Sequence, residues 1–325
     1  MAKNPGGRPR EARTVDDEPT SVDRIFGALT STAGVTVLVL LTLVGVFLLL
    51  RSRLALGEMG TRFFSVTEWS PNHEPPEFGV AGLVTGTVLV ALVAFTLAVP
   101  FGVCTALFIT DFAPAGVRRW LTALVDLLAA IPSLLYGIWG SFVLGPQLIP
   151  VADWLTRHLD WIPIFRVGDE ASMSGSIFIA GVVVSLMVLP IIASVTREVF
   201  AQTPPAEKEA ALALGGTRWG MVRNVVLPYG RAGIIGGSML GLGRALGETI
   251  AVSLILPQVP EVTNRILENG GATVSGYIAL RAAGSQMNVS GLMAAGLVLF
   301  VMTLATNMGA SVVIARSRSG VGVDA

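Results

Sequence analysis

Arg244 and Glu248 stand four residues apart in Ala232–Leu256, a long apolar stretch with no other charge. On a continuous helix that spacing places both on one face. A charge at mid-bilayer costs about 2.5–3.5 kcal/mol on insertion scales, so the pair has to face protein or water rather than lipid. A guanidinium is a planar fork that matches phosphate oxygens, and a neighbouring carboxylate can orient it and keep it from trapping an anion permanently. Thr249, next in the chain, joins them as a candidate substrate-path residue. The competing reading is a self-neutralising pair that only fixes helix packing. Arg ahead of Glu is the weaker order for an i,i+4 pair, which favours a path, where binding has to stay weak enough for release.

Little else in the chain suggests chemistry. One cysteine, Cys104, and two histidines, His73 and His158, leave no internal disulfide and no metal cluster. No nucleophile–base or metal-ligand constellation stands out. No Walker A pattern occurs, and Gly241-Leu242-Gly243 lies within an apolar helix rather than after a strand, so it is no nucleotide fingerprint. The chain is therefore expected to be no enzyme and to bind no metal or cofactor itself. The 22 Lys and Arg balance 22 Asp and Glu, which leaves no basic excess for nucleic acid.

The elements that must carry these residues follow from composition. Of 325 residues, 52% are hydrophobic and only 14% charged, where a soluble domain carries about 25%. Five runs contain no charged residue or histidine: Ile25–Leu50, Phe78–Thr110, Leu127–Ala152, Ala171–Thr196 and Ala282–Ala315. With Ala232–Leu256 they make six, each longer than the roughly 20 residues a membrane-crossing helix needs. They are continuous rather than alternating, which excludes barrel strands. The expectation is an all-α polytopic membrane protein with helices over about 28–50, 80–110, 121–145, 172–196, 232–256 and 289–315. The first run is too long for a cleaved signal segment and reads as a retained span. An N-in, C-in arrangement places fourteen Lys and Arg inside and seven outside, in keeping with the positive-inside rule.

Residues 1–24, with Pro5, Gly6, Gly7, Pro9 and mixed charges, read as a disordered cytoplasmic tail, and 317–325 as a short cytoplasmic end. Residues 153–170 read as an outer interfacial segment anchored by Trp154 and Trp161. Pro100, Pro132 and Pro190 fall inside predicted helices and should kink them. Gly233, Gly237 and Gly241, with Gly243 and Gly247, form a seam of small residues for a partner or a neighbouring helix. Asp126 reads as a carboxylate near the inner interface within reach of Arg119 or another basic group. Asn307 reads as an interhelical hydrogen-bonding group and Cys104 as a small packing residue.

The segment 197–230, REVFAQTPPAEKEAALALGGTRWGMVRNVVLPYG, is the longest between predicted inner ends. Pro204-Pro205 and Glu207 mark a helix start, Gly215-Gly216 a stop, and Thr217 the cap of a second short helix ended by Pro228. Two short helices meeting at a glycine bend form a knob suited to a cleft on a partner. Glu209-Ala210-Ala211, three residues, Gly215, nine residues, then Val225-Val226-Leu227-Pro228 resembles the EAA motif of ABC importer permeases, with Val225 in place of their Ile. In that family the loop is the coupling helix that docks in a groove of the cytoplasmic ATPase. The resemblance thus implies a coupling role for Glu209, Ala210, Ala211, Gly215, Val225, Leu227 and Pro228, and a type I ABC importer permease fold.

Gly236–Thr249 (GGSMLGLGRALGET) resembles the permeases of phosphate-specific transport, most closely their PstC-type subunit. Asp126–Ser133 (DLLAAIPS), Tyr136–Gly140 (YGIWG), Glu68-Trp69 and Ala98–Gly102 fit the same family, so that the likeness covers about residues 25–316. It implies an ATP-driven phosphate importer of the bacterial inner membrane with a PstA-type sister permease, a PstB-type ATPase dimer carrying ATP and Mg, and a PstS-type phosphate-binding protein. Arg244 would lower the barrier to a desolvated phosphate. Two alternatives stay open: a permease for another oxyanion such as sulfate or molybdate, and a stand-alone proton-coupled carrier using Glu248, which the EAA spacing and the lack of internal repeat symmetry disfavour.

Overall fold

A computed structural model describes residues 21–168 and 171–318. The expected tail therefore lies outside the described residues up to residue 20, as does the chain end after Arg318. The chain falls into two compact units, one ending at Phe47 and the other beginning at Leu48. The long helix α1, Ser21–Met59, runs through both, so Ser21–Arg24 are helical where a disordered tail was expected. The remaining helices are α2 (Ala81–Leu107), α3 (Ala115–Ala130), α4 (Ser133–Trp139), α5 (Gly145–Leu159), α6 (Ile177–Ala201), α7 (Pro205–Ala213), α8 (Arg218–Met221), α9 (Leu227–Leu246), α10 (Ile250–Ile255), α11 (Val274–Arg281) and α12 (Gln286–Arg318). One short antiparallel hairpin, β1 (Trp69–Ser70) with β2 (Glu77–Phe78), precedes α2.

Six helical stretches among the described residues are long and apolar enough to cross a membrane. Four lie where the uncharged runs place them; the third and fifth differ. The expected third span, 121–145, is broken at Ile131-Pro132. Ile131 takes an extended backbone, the conformation forced on a residue before proline. The apolar stretch long enough to cross is instead Ser133–Leu159, and α3 is a separate helix ahead of it. Trp154, expected in an interfacial segment, sits on α5, where it stacks on His158. The expected fifth span, 232–256, is a helical stretch over Arg218–Leu246 that stops at Gly247, followed by the short α10.

Three π-helical turns share one cause. They cover Phe108–Phe112, Gly140–Leu144 and Val222–Val226, and in each case a proline stands two residues beyond: Pro114, Pro146 and Pro228. A proline has no N–H, and its ring crowds the carbonyl four residues back. The chain re-pairs five residues back just before each proline: Ala113 N–H to Phe108 O, Gly145 to Gly140 O and Leu227 to Val222 O. Pro228 accordingly starts α9 in its first turn instead of ending the preceding helix.

The core lies where α2 and α9 flank α6, and close approach there depends on small residues, as in membrane bundles generally. A Cβ on Gly181 of α6 would strike Val93 of α2, and one on Gly102 would strike Ile192. On the other side Gly230 faces Phe200, Gly233 faces Val199, Gly237 faces Val195 and Gly241 faces Val188. The glycine seam of α9 is thus filled by the chain's own α6. Gly243 points elsewhere, towards Asn307 of α12, whose side chain makes no hydrogen bond among the described residues. Cys104 is exposed rather than packed. Pro100 and Pro190 lie inside α2 and α6, and Pro132 sits at the α3–α4 break.

A second cluster gathers Phe63, Phe78, Tyr277 and Leu292 at the hairpin end of the bundle. Trp69 packs on Phe78 and Tyr277 and donates its indole N–H to Asn288 Oδ1 at 3.0 Å. Burial raises the Tyr277 phenol above its ordinary pKa of 10.0, partly opposed by Arg281, whose guanidinium lies 5.5 Å from the ring centre. Overpacking the seam tests this architecture. Gly241→Leu should cost about 1–3 kcal/mol and lower the thermal unfolding midpoint in detergent, whereas Gly243→Ala, whose methyl would meet only Asn307 Oδ1 in an ordinary contact at 3.6 Å, should leave it unchanged.

Candidate substrate path and coupling loop

Arg244 and Glu248 do not share a helical face. α9 ends at Leu246, Gly247 caps it, and Thr249 opens α10, so a break separates the two charges. A glycine there lets the helix stop, and the turn that follows aims Glu248 inward while Arg244 stays on the last turn of α9. Arg244 is exposed in the isolated chain and has no carboxylate partner among the described residues, Glu248 included. Glu248 is 8% exposed and accepts the Ala251 N–H at 3.3 Å, so it caps the first turn of α10. Thr249 is half-buried and donates to Gly247 O at 3.1 Å. The self-neutralising pair is ruled out in this arrangement, because the helix break spends the carboxylate on backbone.

Around the break lies a buried polar knot that sequence reasoning missed. Ser275 of α11 donates to Glu248 O at 2.6 Å. Thr87 of α2 accepts the Val274 N–H at 3.0 Å, and Thr273 caps α11 by accepting from Gly276. Gln258, 5% exposed, accepts the Thr273 N–H at 3.1 Å through Oε1, which leaves its Nε2 buried without a partner among the described residues. Gln258 has a φ of 56°, the left-handed region, and Gly276 leaves the room its amide occupies. Thr87, Thr273, Gln258 and Ser275 are ordinary polar residues scattered over nearly 190 positions; only a buried helix N-terminus demanding acceptors singles them out.

The loop after α6 keeps the expected helix–bend–helix form. α7 starts on Pro204-Pro205, Gly215 has a φ of 83°, and Thr217 accepts the Gly220 N–H at 3.1 Å. Glu209, Ala210, Gly215 and Pro228 are exposed and Val225 is half-buried. Ala211 and Leu227 pack on a small cluster with Phe200, Met221 and Val222. Leu212, Leu214 and Trp219 are exposed beside them, Leu214 at 90%. Two ion pairs anchor this end. Lys208 of α7 meets Asp111 Oδ1 at 2.6 Å, and Asp126 of α3 meets Arg197 of α6 at 3.6 Å, not Arg119. Lys208 and Asp111 carried no signal in the sequence, since they stand 97 residues apart.

Residues 98–318 match the model of the family described as binding-protein-dependent transport system inner membrane component. The chain belongs to that family of transport permeases. A phosphate transport system permease protein PstC 2 of Mycobacterium tuberculosis is 42% identical over 302 residues, 92% of this permease and 93% of that protein. A PstC permease of Xylella fastidiosa is 37% identical over 316 residues, 96% and 94% of the two chains. Among solved structures, the MetNI methionine ABC transporter in inward-facing conformations covers 73% of this permease and 95% of its own chain, at a TM-score of 0.50 and 17% identity. A bacterial ABC transporter that imports alginate covers 72% and 78%, at a TM-score of 0.51 and 19% identity. The permease thus has the type I ABC importer fold, six membrane helices included, and it is a multi-pass membrane protein.

The capping geometry separates two roles of Glu248. Glu248→Gln keeps the acceptor oxygen and should unfold at the wild-type temperature. Glu248→Ala leaves the Ala251 N–H uncapped and should lose about 1 kcal/mol, read as a lower midpoint in detergent.

Proposed function

We propose that this permease is the transmembrane subunit of an ATP-driven inorganic phosphate importer. The likeness to phosphate permeases over nine-tenths of both chains carries the reading. In it, a phosphate-binding protein delivers phosphate at the hairpin end, a sister permease completes the pathway, and an ATPase pair drives the cycle from the EAA end. The EAA end faces the cytoplasm of a bacterial cell, with both termini inside. ATP and Mg belong to the ATPase, and this chain contributes no covalent step.

Two physical features support the assignment of roles. Arg244 is an exposed cation in a membrane helix, and a charge facing lipid is costly. A surface covered by the sister permease, with a hydrated route between them, removes that cost and sets a guanidinium fork where a phosphate dianion must pass. With its carboxylate neighbour engaged in capping, Arg244 keeps its positive charge for the anion, yet a single fork binds weakly enough for release. At the other end, α7 displays Glu209 and Ala210 beside exposed Leu212, Leu214 and Trp219. An apolar patch rimmed by charge is the character of a docking knob, and the EAA spacing assigns its partner as the ATPase.

Reconstitution with the sister permease, ATPase and binding protein tests the reading. Phosphate uptake should require ATP and every component, and sulfate should not replace phosphate. Uptake by this chain alone in a pH gradient would overturn it in favour of a proton-coupled carrier. Arg244→Gln should assemble normally and lose at least about ten-fold of phosphate uptake, the neutral amide offering no charge-assisted fork. Unchanged uptake would remove Arg244 from the path.

A further inference from the structure

Two elements join the EAA loop to the helix break at Glu248: α9, which continues the loop's second helix up to Gly247, and α2, which reaches both ends through side chains. At the EAA end, α7 buries no residue of its own. A cleft of about 320 Å³, lined by Arg118 of α3, Arg197 and Glu198 of α6 and Thr203 and Lys208, keeps it from packing solidly on the bundle. Besides the packing of Ala211 on the cluster around Ala106, what ties α7 to α2 is the ion pair of Lys208 Nζ with Asp111 Oδ1 at 2.6 Å, the two side chains 20% and 5% exposed. Asp111 sits in the π-helical turn that continues α2. Its other oxygen accepts the Thr110 hydroxyl at 2.8 Å, and Arg118 of α3 donates to Thr110 O at 2.8 Å. The carboxylate is thereby held through both of its oxygens. A short, largely shielded pair of this kind resists separation more than a surface pair does.

At its other end α2 touches the helix break. Thr87 holds the Val274 N–H, and the next residue, Ser275, holds Glu248 O. Thr87 and Asp111 are about 36 Å apart along a helix rising 1.5 Å per residue. Between them α2 lies along α6 through the Gly181–Val93 and Gly102–Ile192 contacts. Coupling between distant sites can travel through packed side chains, hydrogen bonds and rigid elements, and here each joint is a hydrogen bond or an ion pair.

We propose that α2 is a second rod, beside α9, that carries movement of α7 to the Glu248 break, with Asp111–Lys208 and Thr87 as positioning residues at its two joints. The inference rests on the reading of α7 as the ATPase contact. When α7 moves, the ion pair makes the end of α2 move with it. The Thr87 joint then shifts α11 and, through Ser275, the backbone at Glu248, next to the Arg244 turn. Without the ion pair, α7 keeps only the small Ala211 contact to α2, so α7 and α9 can follow the ATPase while α2 lags; hydrolysis continues and less phosphate moves per ATP.

The test uses the complete complex in proteoliposomes and reads phosphate moved per ATP hydrolysed, after assembly of each variant has been quantified. A wild-type complex that hydrolyses ATP without any binding-protein-dependent uptake would end the functional reading itself, and is distinguished by this control. With a coupled wild type, Lys208→Met and Asp111→Asn should keep hydrolysis within about two-fold while phosphate per ATP falls about ten-fold, a coupling loss in the range typical of linked sites. Lys208→Arg, which keeps the charge, and the reversed pair Asp111→Lys/Lys208→Asp should recover at least about half of the wild-type ratio. Thr87→Val should lower the ratio as Asp111→Asn does, and Thr87→Ser should restore it. A wild-type ratio in Lys208→Met and Asp111→Asn would overturn the proposal. So would hydrolysis and uptake falling in proportion with no recovery in Lys208→Arg, the pattern of a purely structural contact.

Discussion

A helix that stops inside a bilayer leaves backbone amides and carbonyls that lipid cannot solvate, and the protein has to supply every missing partner. The break at Gly247–Thr249 imposes that demand on the whole hairpin end of the bundle. The Glu248 side chain takes the Ala251 N–H, Ser275 reaches the Glu248 carbonyl, and Thr87 holds the start of α11. Gln258 adopts a left-handed backbone to place its amide against Thr273. Strain of this kind persists only where surrounding contacts over-determine it. α2, α9, α10, α11 and the loop before α11 therefore meet at one point because one interrupted helix needs them all.

The same requirement shapes the surroundings of Arg244. Had α9 continued, Arg244 and Glu248 would have met on one face and largely cancelled. The break diverts the carboxylate to capping and leaves the guanidinium on the last turn of α9, exposed in the single chain. Under the proposed function, an intramembrane cation in that position suits a route for an anion shared between two permease chains. It is poorly suited to fixing a helix, since it makes no ion pair within its own chain among the described residues.

At the opposite end, backbone accounting also governs form, this time through proline. Pro114 and Pro228 each impose an i to i+5 bond just ahead of them, one at the end of α2 and one at the start of α9. The first of these widened turns presents Asp111 to Lys208. The second lets the helix leaving the EAA loop pass into the membrane without a gap. The loop is thus tied to two core helices by continuous or short connections, while its apolar side chains Leu212, Leu214 and Trp219 remain uncovered for a partner. The shared type I importer fold with transporters under 20% identical fits this view. Helix packing through small residues and a protruding loop can be kept while most side chains change.

Local signals in the sequence were enough for the elements that depend on neighbours along the chain. Six apolar runs, the α7 start at Pro204-Pro205, the turn at Gly215 and the Thr217 cap could be read directly, since hydropathy, proline and a capping hydroxyl act within a few residues. The EAA spacing and the motifs around Arg244 identified the kind of permease for the same reason. What depended on distant partners could not be read. The glycine seam of α9 could have met any helix, and only the fold shows it filled by Val188, Val195 and Val199. The spacing of Arg244 and Glu248 described a pair on one face, and the tertiary structure separated them, because capping a break inside the membrane outweighs an i,i+4 attraction worth only a few tenths of a kcal/mol. Asp111 with Lys208, and Thr87 with Val274, acquire meaning only when chain segments 97 and 187 residues apart are brought together.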